Sequence, residues 1–205
     1  MPKAMTKATF SDLETALGLL AEAAEAVAAL GQPRPIVTGG ALTALLSGGR
    51  IMSGDIDIVT SNAAASLLET ELLKRGFVRP SGPNSLRKGW GVLHPELGIG
   101  VEVVGSRLMD GLGTTQEVDL GNGRTLRILS LEDLIADRIG QAYMLGSWPP
   151  TTVNELSRLE QAALIWYAFQ DELDHARLDR RILEETGDVD LNRFQAWLKT
   201  GATGR

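Results

Sequence analysis

The chain has 205 residues, 43% hydrophobic and 22% charged, an ordinary globular usage that excludes disorder throughout. It has no cysteine and only two histidines, which excludes a disulfide framework, a thiolate metal centre and a multi-histidine metal site. The net charge of −6 argues against nonspecific coating of nucleic acid, although a local basic patch can still grip it.

The first residues lack the apolar core of a secretory signal, and the expected location is the cytoplasm. Ser11-Asp12-Leu13-Glu14 has the form of a capping box. Leu13, Leu17, Leu20, Ala24 and Val27 then recur at helical spacing, and Gly31 ends the pattern. This helix holds the most apolar stretch of the chain, but Glu22 and Glu25 interrupt it and it is too short to span a membrane. Pro33 and Pro35 force an extended entry into a short strand at Ile36-Val37. Gly39-Gly40 breaks that strand, a helix follows over 41–46, and Gly48-Gly49 closes it.

Residues 55–59 alternate as a strand, and Ser61 or Asn62 caps a helix that runs to Arg75 and stops at Gly76. From Phe77 to Ile128 short β-like runs alternate with Gly, Pro and Asn, at 77–78, 86–93, 100–104, 116–120 and 125–129. Gly121-Asn122-Gly123 reads as a hairpin turn. Ser130-Leu131-Glu132-Asp133 is a second capping box, and the chain is helical from there on. Pro149-Pro150 is the clearest internal boundary, with helices expected at 152–172, 175–186 and 190–199.

The chemistry concentrates in two places. Asp55 and Asp57 sit two residues apart on one strand, so both carboxylates leave the same face while Ile56 and Ile58 enter the core. Two neighbouring carboxylates repel each other unless a cation lies between them. Oxygen donors favour a hard divalent ion such as magnesium. The Gly39-Gly40 turn runs straight into a helix, and unhindered N–H groups at a positive helix end accept phosphate. A phosphate cradle beside an acid pair points to metal-assisted phosphoryl or nucleotidyl chemistry.

In these residues the sequence resembles the nucleotidyltransferase superfamily that includes DNA polymerase beta. The family pattern is a Gly-Gly or Gly-Ser turn opening a helix, then Asp-x-Asp, then a third acid on a later strand. Gly39-Gly40, Asp55-Ile56-Asp57 and Glu102 match it. Within the superfamily the chain looks most like a small bacterial branch that contains the AbiEii-type toxin nucleotidyltransferases. Ser53-Gly54-Asp55-Ile56-Asp57 fits that branch's Ser/Thr-x-Asp-x-Asp, and Glu132-Asp133-Leu134 with Arg138 fits its later helix. Arg50 lies five residues before Asp55, where the branch usually places an arginine four before.

The resemblance implies an α/β (α+β) nucleotidyltransferase fold with a short mixed sheet, helices on one side of it and a C-terminal helical segment. The expected division is a nucleotidyltransferase-like domain at 1–147, helices at 148–200 and a flexible tail at 201–205. It implies transfer of a nucleoside monophosphate from an NTP to an acceptor hydroxyl, with two Mg²⁺ held by Asp55, Asp57 and Glu102. Gly39, Gly40, Ser53 and Arg138 are the implied nucleotide-binding residues. The toxin branch implies RNA as acceptor and an antitoxin protein as partner. A small-molecule enzyme of the aminoglycoside-modifying kind, or a non-catalytic regulator, would keep the same fold.

Other residues compete for these roles. Asp110, Glu117 and Asp119 are rivals of Glu102 for the third acid, and Arg138 could instead pair with Glu132 or Asp133. Lys74, Arg75, Arg79, Arg87 and Lys88 form a run free of acids. It is read either as a solvated surface or as a lip for triphosphate or RNA, with Arg87 and Lys88 as the acceptor patch. Trp90 could stack a base but is expected in the core. Trp148, Trp166, Tyr167, Phe169 and Trp197 are expected in the core of the helical segment, and His94 and His175 are given no catalytic role.

Overall fold

The computed structural model describes residues 8–80, 91–108, 113–144 and 146–200. The chain divides at Leu129/Ser130 into two compact units. The first unit holds α1 (Phe10–Ala29), β1 (Ile36–Thr38), α2 (Gly39–Leu46), β2 (Asp55–Val59) and α3 (Asn62–Leu73). It continues with β3 (Gly91–His94), β4 (Ile99–Gly105), β5 (Thr115–Asp119) and β6 (Thr125–Leu129). The second holds α4 (Leu131–Ala142), α5 (Val153–Phe169), α6 (His175–Thr186) and α7 (Leu191–Lys199).

The first helix starts two residues earlier than its sequence suggests. Thr9 is the N-cap, and Thr9 and Asp12 form the reciprocal capping box. Its Leu13, Leu17, Leu20, Ala24 and Val27 are all buried. The six strands run in the order β3-β4-β2-β1-β6-β5. β1 is parallel to β6 and β2 to β4, while the pairs β1/β2, β3/β4 and β5/β6 are antiparallel.

Period-2 alternation gives this sheet two unlike faces. Val37, Ile56, Ile58, Val92, Val101, Leu126 and Ile128 are buried on one, beneath α1 and α3. Their sequence neighbours Thr38, Asp55, Asp57, Gly91, Gly100, Glu102 and Arg127 are half-exposed on the other. The two-residue strand expected at 77–78 reduces to one bridge between Val78 and Leu93. Of the expected strand 86–93, residues 86–90 lie outside the described residues, and β3 covers the rest.

In the second unit α4 packs on α5 and α6, and α6 on α7. Trp166 and Trp197 are buried as expected, and Phe194 lies between them, edge-on to Trp166 and stacked on Trp197. Tyr167 departs from expectation: it is 50% exposed, because it falls one residue past the buried stripe of α5. The break between units precedes α4, whereas the sequence reading set a boundary after residue 147. The helix carries Leu134, Ile135 and Ile139, and its packing on α5 and α6 makes it part of the helical unit. Among the described residues no helix is long and apolar enough to cross a membrane.

Candidate active site

The sheet register assembles the site. Thr38 pairs with Asp57, Asp57 with Glu102, and Glu102 with Gly91, so four strands place these residues in one row. Asp55 stands in the next row on the same face, opposite Gly100. Asp55, Asp57 and Glu102 each offer a carboxylate oxygen, and these oxygens lie within 4.8 Å of one another. All three residues are half-buried. Among the described residues this is the one cluster of acids and histidines close enough to share a cation.

Two glycines frame the cluster. A side-chain carbon at Gly91 would come 3.4 Å from Glu102 Cγ and 3.3 Å from the Val101 carbonyl. One at Gly100 would come 3.9 Å from Asp55 Cβ. The acids therefore meet no side chain from these positions. Sequence reasoning missed both glycines. The signal was present, since a glycine inside a strand marks close approach of another group.

The third boundary is the turn into α2. Gly39 has φ +74°, and a Cβ there would fall 2.2 Å from Asp57 Oδ2. The turn and the acid pair are thus in van der Waals contact. Thr38 is the N-cap of α2 but makes no side-chain capping hydrogen bond, so its hydroxyl does not occupy the helix start. At Gly40 a Cβ would lie 3.1 Å from Ser53 Oγ. The Ser53 hydroxyl in turn lies 2.9 Å from Asp55 Oδ1 and 2.9 Å from the Asp55 carbonyl.

The donor set is therefore three carboxylates beside a helix N-terminus, with Gly39, Gly91 and Gly100 where the backbone comes close to them. No family model matches the chain, and no curated protein matches it in sequence. Solved structures do match. The crystal structure of an antigenic nucleotidyltransferase-like protein from Paracoccidioides brasiliensis is similar with a TM-score of 0.59 at 17% identity, over 93% of this chain and 95% of that one. The fold is a nucleotidyltransferase fold. The solution structure of the antibiotic-resistance factor ANT(2'')-Ia agrees, with a TM-score of 0.52 at 17% identity over 94% of this chain and 97% of that one.

Other residues singled out in the sequence fall in varied places on this nucleotidyltransferase fold. Of the rivals to Glu102, Glu117 pairs with Arg34, and Asp119 accepts from the Gly121 N–H inside the β5–β6 turn. Asp110 lies outside the described residues, as do Arg87, Lys88 and Trp90. The start of the basic run is neutralised: Lys74 pairs with Glu71, Arg75 with Glu71 and Glu22, and Arg79 with Glu69. Glu69 and Glu71 lie on α3, within ten residues of these cations, whereas Glu22 comes from α1, which the local sequence could not reveal. His94 stands edge-on to Phe77, and His175 stacks on Trp166.

Arg138 is buried in the helical unit, 3% exposed. Its guanidinium bonds to Asp137 and, at 3.4 Å, to Gln161 Oε1. The expected partners Glu132 and Asp133 are not the ones it takes. Glu132 accepts from the Asp174 N–H, and Asp133 is engaged by Arg177 and Arg181.

The two turn glycines differ in what they tolerate. Gly39→Ala combines a left-handed backbone with a collision against Asp57, so it should cost at least about 1–2 kcal/mol of stability. Gly40 carries no backbone penalty. Gly40→Ala should cost less stability than Gly39→Ala and, on the nucleotidyltransferase reading proposed below, should weaken nucleotide binding by crowding the helix start. Urea denaturation and calorimetric titration of both variants check this; equal stability losses would break the distinction.

Proposed function

We propose that the protein is a magnesium-dependent nucleotidyltransferase. An acceptor oxygen bonds to the α-phosphorus of an NTP, the bond from that phosphorus to the bridging oxygen breaks, and pyrophosphate leaves. The acceptor hydroxyl gives its proton to the Glu102 carboxylate, which passes it on to water. The observation that carries this reading is the convergence of Asp55, Asp57 and Glu102 within 4.8 Å against the Gly39-Gly40 turn.

The three carboxylates are suited to hold the metal, because they supply only hard oxygen donors. Magnesium held there, two ions in the family scheme, would neutralise phosphate charge and ease loss of the hydroxyl proton. The start of α2 offers backbone N–H groups and the positive helix end to the triphosphate. Glycine at 39 and 40 keeps side chains out of that approach, and Gly91 and Gly100 do the same beside Glu102 and Asp55. Glu102 lies on the β4 side of the aspartates, at the opposite flank from α2's strand. The acceptor is therefore assigned to the Glu102 flank and the triphosphate to the Gly39-Gly40 flank.

For the acceptor we favour a small cationic hydroxyl compound of the aminoglycoside kind. Lys74, Arg75 and Arg79 are already paired with acids, and the chain carries −6 overall. Both features suit a cation better than RNA. The full-length likeness to an antibiotic-resistance factor points the same way. RNA modification with an antitoxin partner, implied by the toxin-branch resemblance, is the competing outcome. Incubation with α-labelled NTP, Mg²⁺ and either aminoglycosides or total RNA decides between them. Label is expected in the small molecule. Label in RNA alone would transfer the assignment to the toxin reading. Metal-dependent NTP binding with no transfer to either would favour a non-catalytic regulator.

A further inference from the structure

Ser53 lies between the two halves of the site. On one side it abuts the turn, since a Cβ on Gly40 would come 3.1 Å from its hydroxyl oxygen. On the other side that oxygen is 2.9 Å from Asp55 Oδ1 and 2.9 Å from the Asp55 carbonyl oxygen. A hydroxyl carries one proton. Given the choice, it favours the charged carboxylate, because hydrogen bonds to ionised acceptors are the stronger ones.

We infer that Ser53 is a positioning residue for Asp55, fixing the orientation of that carboxylate for the metal, rather than a contact to the nucleotide. The inference rests on the metal-dependent reading of the site above. Three physical points support it. An aspartate carboxylate turns freely about its last torsion, whose minima are broad, and a hydrogen bond to one oxygen fixes the plane. A hydroxyl dipole aimed at Asp55 partly offsets the repulsion from Asp57 and Glu102. Finally, Ser53 is itself wedged against the start of α2, so the carboxylate is referenced to the phosphate-facing turn and not to a mobile loop. Groups that orient metal ligands typically contribute about 10–100-fold in metal affinity or activity.

The test compares the wild type with Ser53→Ala and Ser53→Thr. Mn²⁺ binding without nucleotide is followed by electron paramagnetic resonance, and kcat and KM for Mg–NTP are measured in parallel. Ser53→Ala is expected to weaken Mn²⁺ binding by about 10-fold and to lower kcat, with KM for NTP little changed. Ser53→Thr keeps the hydroxyl and is expected to restore both. Unchanged Mn²⁺ affinity in Ser53→Ala together with a raised KM for NTP would overturn the inference and return Ser53 to nucleotide binding. If the wild type binds Mn²⁺ and Ser53→Ala matches it in every measure, the positioning role alone fails. If the wild type binds no Mn²⁺ and transfers no nucleotide, the metal-dependent reading falls and this inference with it.

Discussion

Asp55→Asn and Glu102→Gln are each expected to lower nucleotidyl transfer by about 10³-fold or more while raising the melting temperature of the metal-free protein. The activity loss follows from the charge that the site must hold. Metal-supplied charge stabilisation amounts to several kcal/mol, and each 1.36 kcal/mol is about tenfold in rate. The stability gain follows from repulsion. Carboxylates about 4 Å apart interact by about 1 kcal/mol in water and about 4 kcal/mol near a protein surface. These groups are half-exposed, so the lower end applies. A gain of about 1 kcal/mol raises the melting temperature by about 2–4 °C in a protein of this size.

The side chains allow this outcome. An asparagine at 55 can still accept the Ser53 hydroxyl through its amide oxygen. Among the described residues the Glu102 carboxylate makes no hydrogen bond or ion pair, so a glutamine there forfeits no polar contact with them. Added Mg²⁺ should then reverse the order, stabilising the wild type by mass action more than either variant. Thermal melts with and without Mg²⁺, alongside a transfer assay, read both effects. Wild-type transfer rates in either variant would remove the metal assignment. A variant less stable than the wild type without metal would show instead that the carboxylates serve the fold.

The legible part of this site is the part set by local periodicity. Asp55 and Asp57 share a face because side chains on a strand alternate, and the double glycine marks a turn whatever surrounds it. Glu102 was legible only because the text around it, Val101-Glu102-Val103-Val104, alternates in the same way. What brings it beside Asp57 is a parallel pairing 45 positions along the chain, between β2 and β4, and no local pattern encodes such a register. The same limit hid Glu22, which reaches Arg75 from α1, whereas Glu71, at i,i+3 and i,i+4 spacing from Lys74 and Arg75, was within local reach. The contact of Ser53 is of the opposite kind: its partner Asp55 is two residues away, and what the sequence does not encode is which way the hydroxyl turns.

The helical unit shows the other side of this limit. Ser130-Leu131-Glu132-Asp133 reads as a capping box, and the structure bears out its first half: Ser130 Oγ accepts from the Asp133 N–H. The Asp133 carboxylate does more than that. It is completely buried and receives Arg181 Nε at 2.7 Å and Arg177 Nη2 at 2.6 Å, together with the Ser130 hydroxyl at 2.9 Å. Arg181, 2% exposed, also pairs with Glu184 and Glu185 on the next turn of α6. Asp133 is thus the fixed point at which α4 holds α6.

Asp133→Ala should therefore be strongly destabilising, at about 3–5 kcal/mol, because it takes from the buried Arg181 its one fully buried counter-charge and leaves it only the partly exposed Glu184 and Glu185. Asp133→Asn keeps the shape but removes the charge and should fall between alanine and the wild type. Burying two charges is itself expensive, so replacing the pair is a different matter from breaking it. Asp133→Leu combined with Arg181→Met should recover much of the loss of Asp133→Ala. Chemical denaturation of the three variants separates these cases. A cost below about 1 kcal/mol for Asp133→Ala would mean that water reaches Arg181 and that the pair is only a surface contact. A double variant as unstable as Asp133→Ala would show instead that the ionic geometry, and not mere compensation of charge, sets how α4 meets α6.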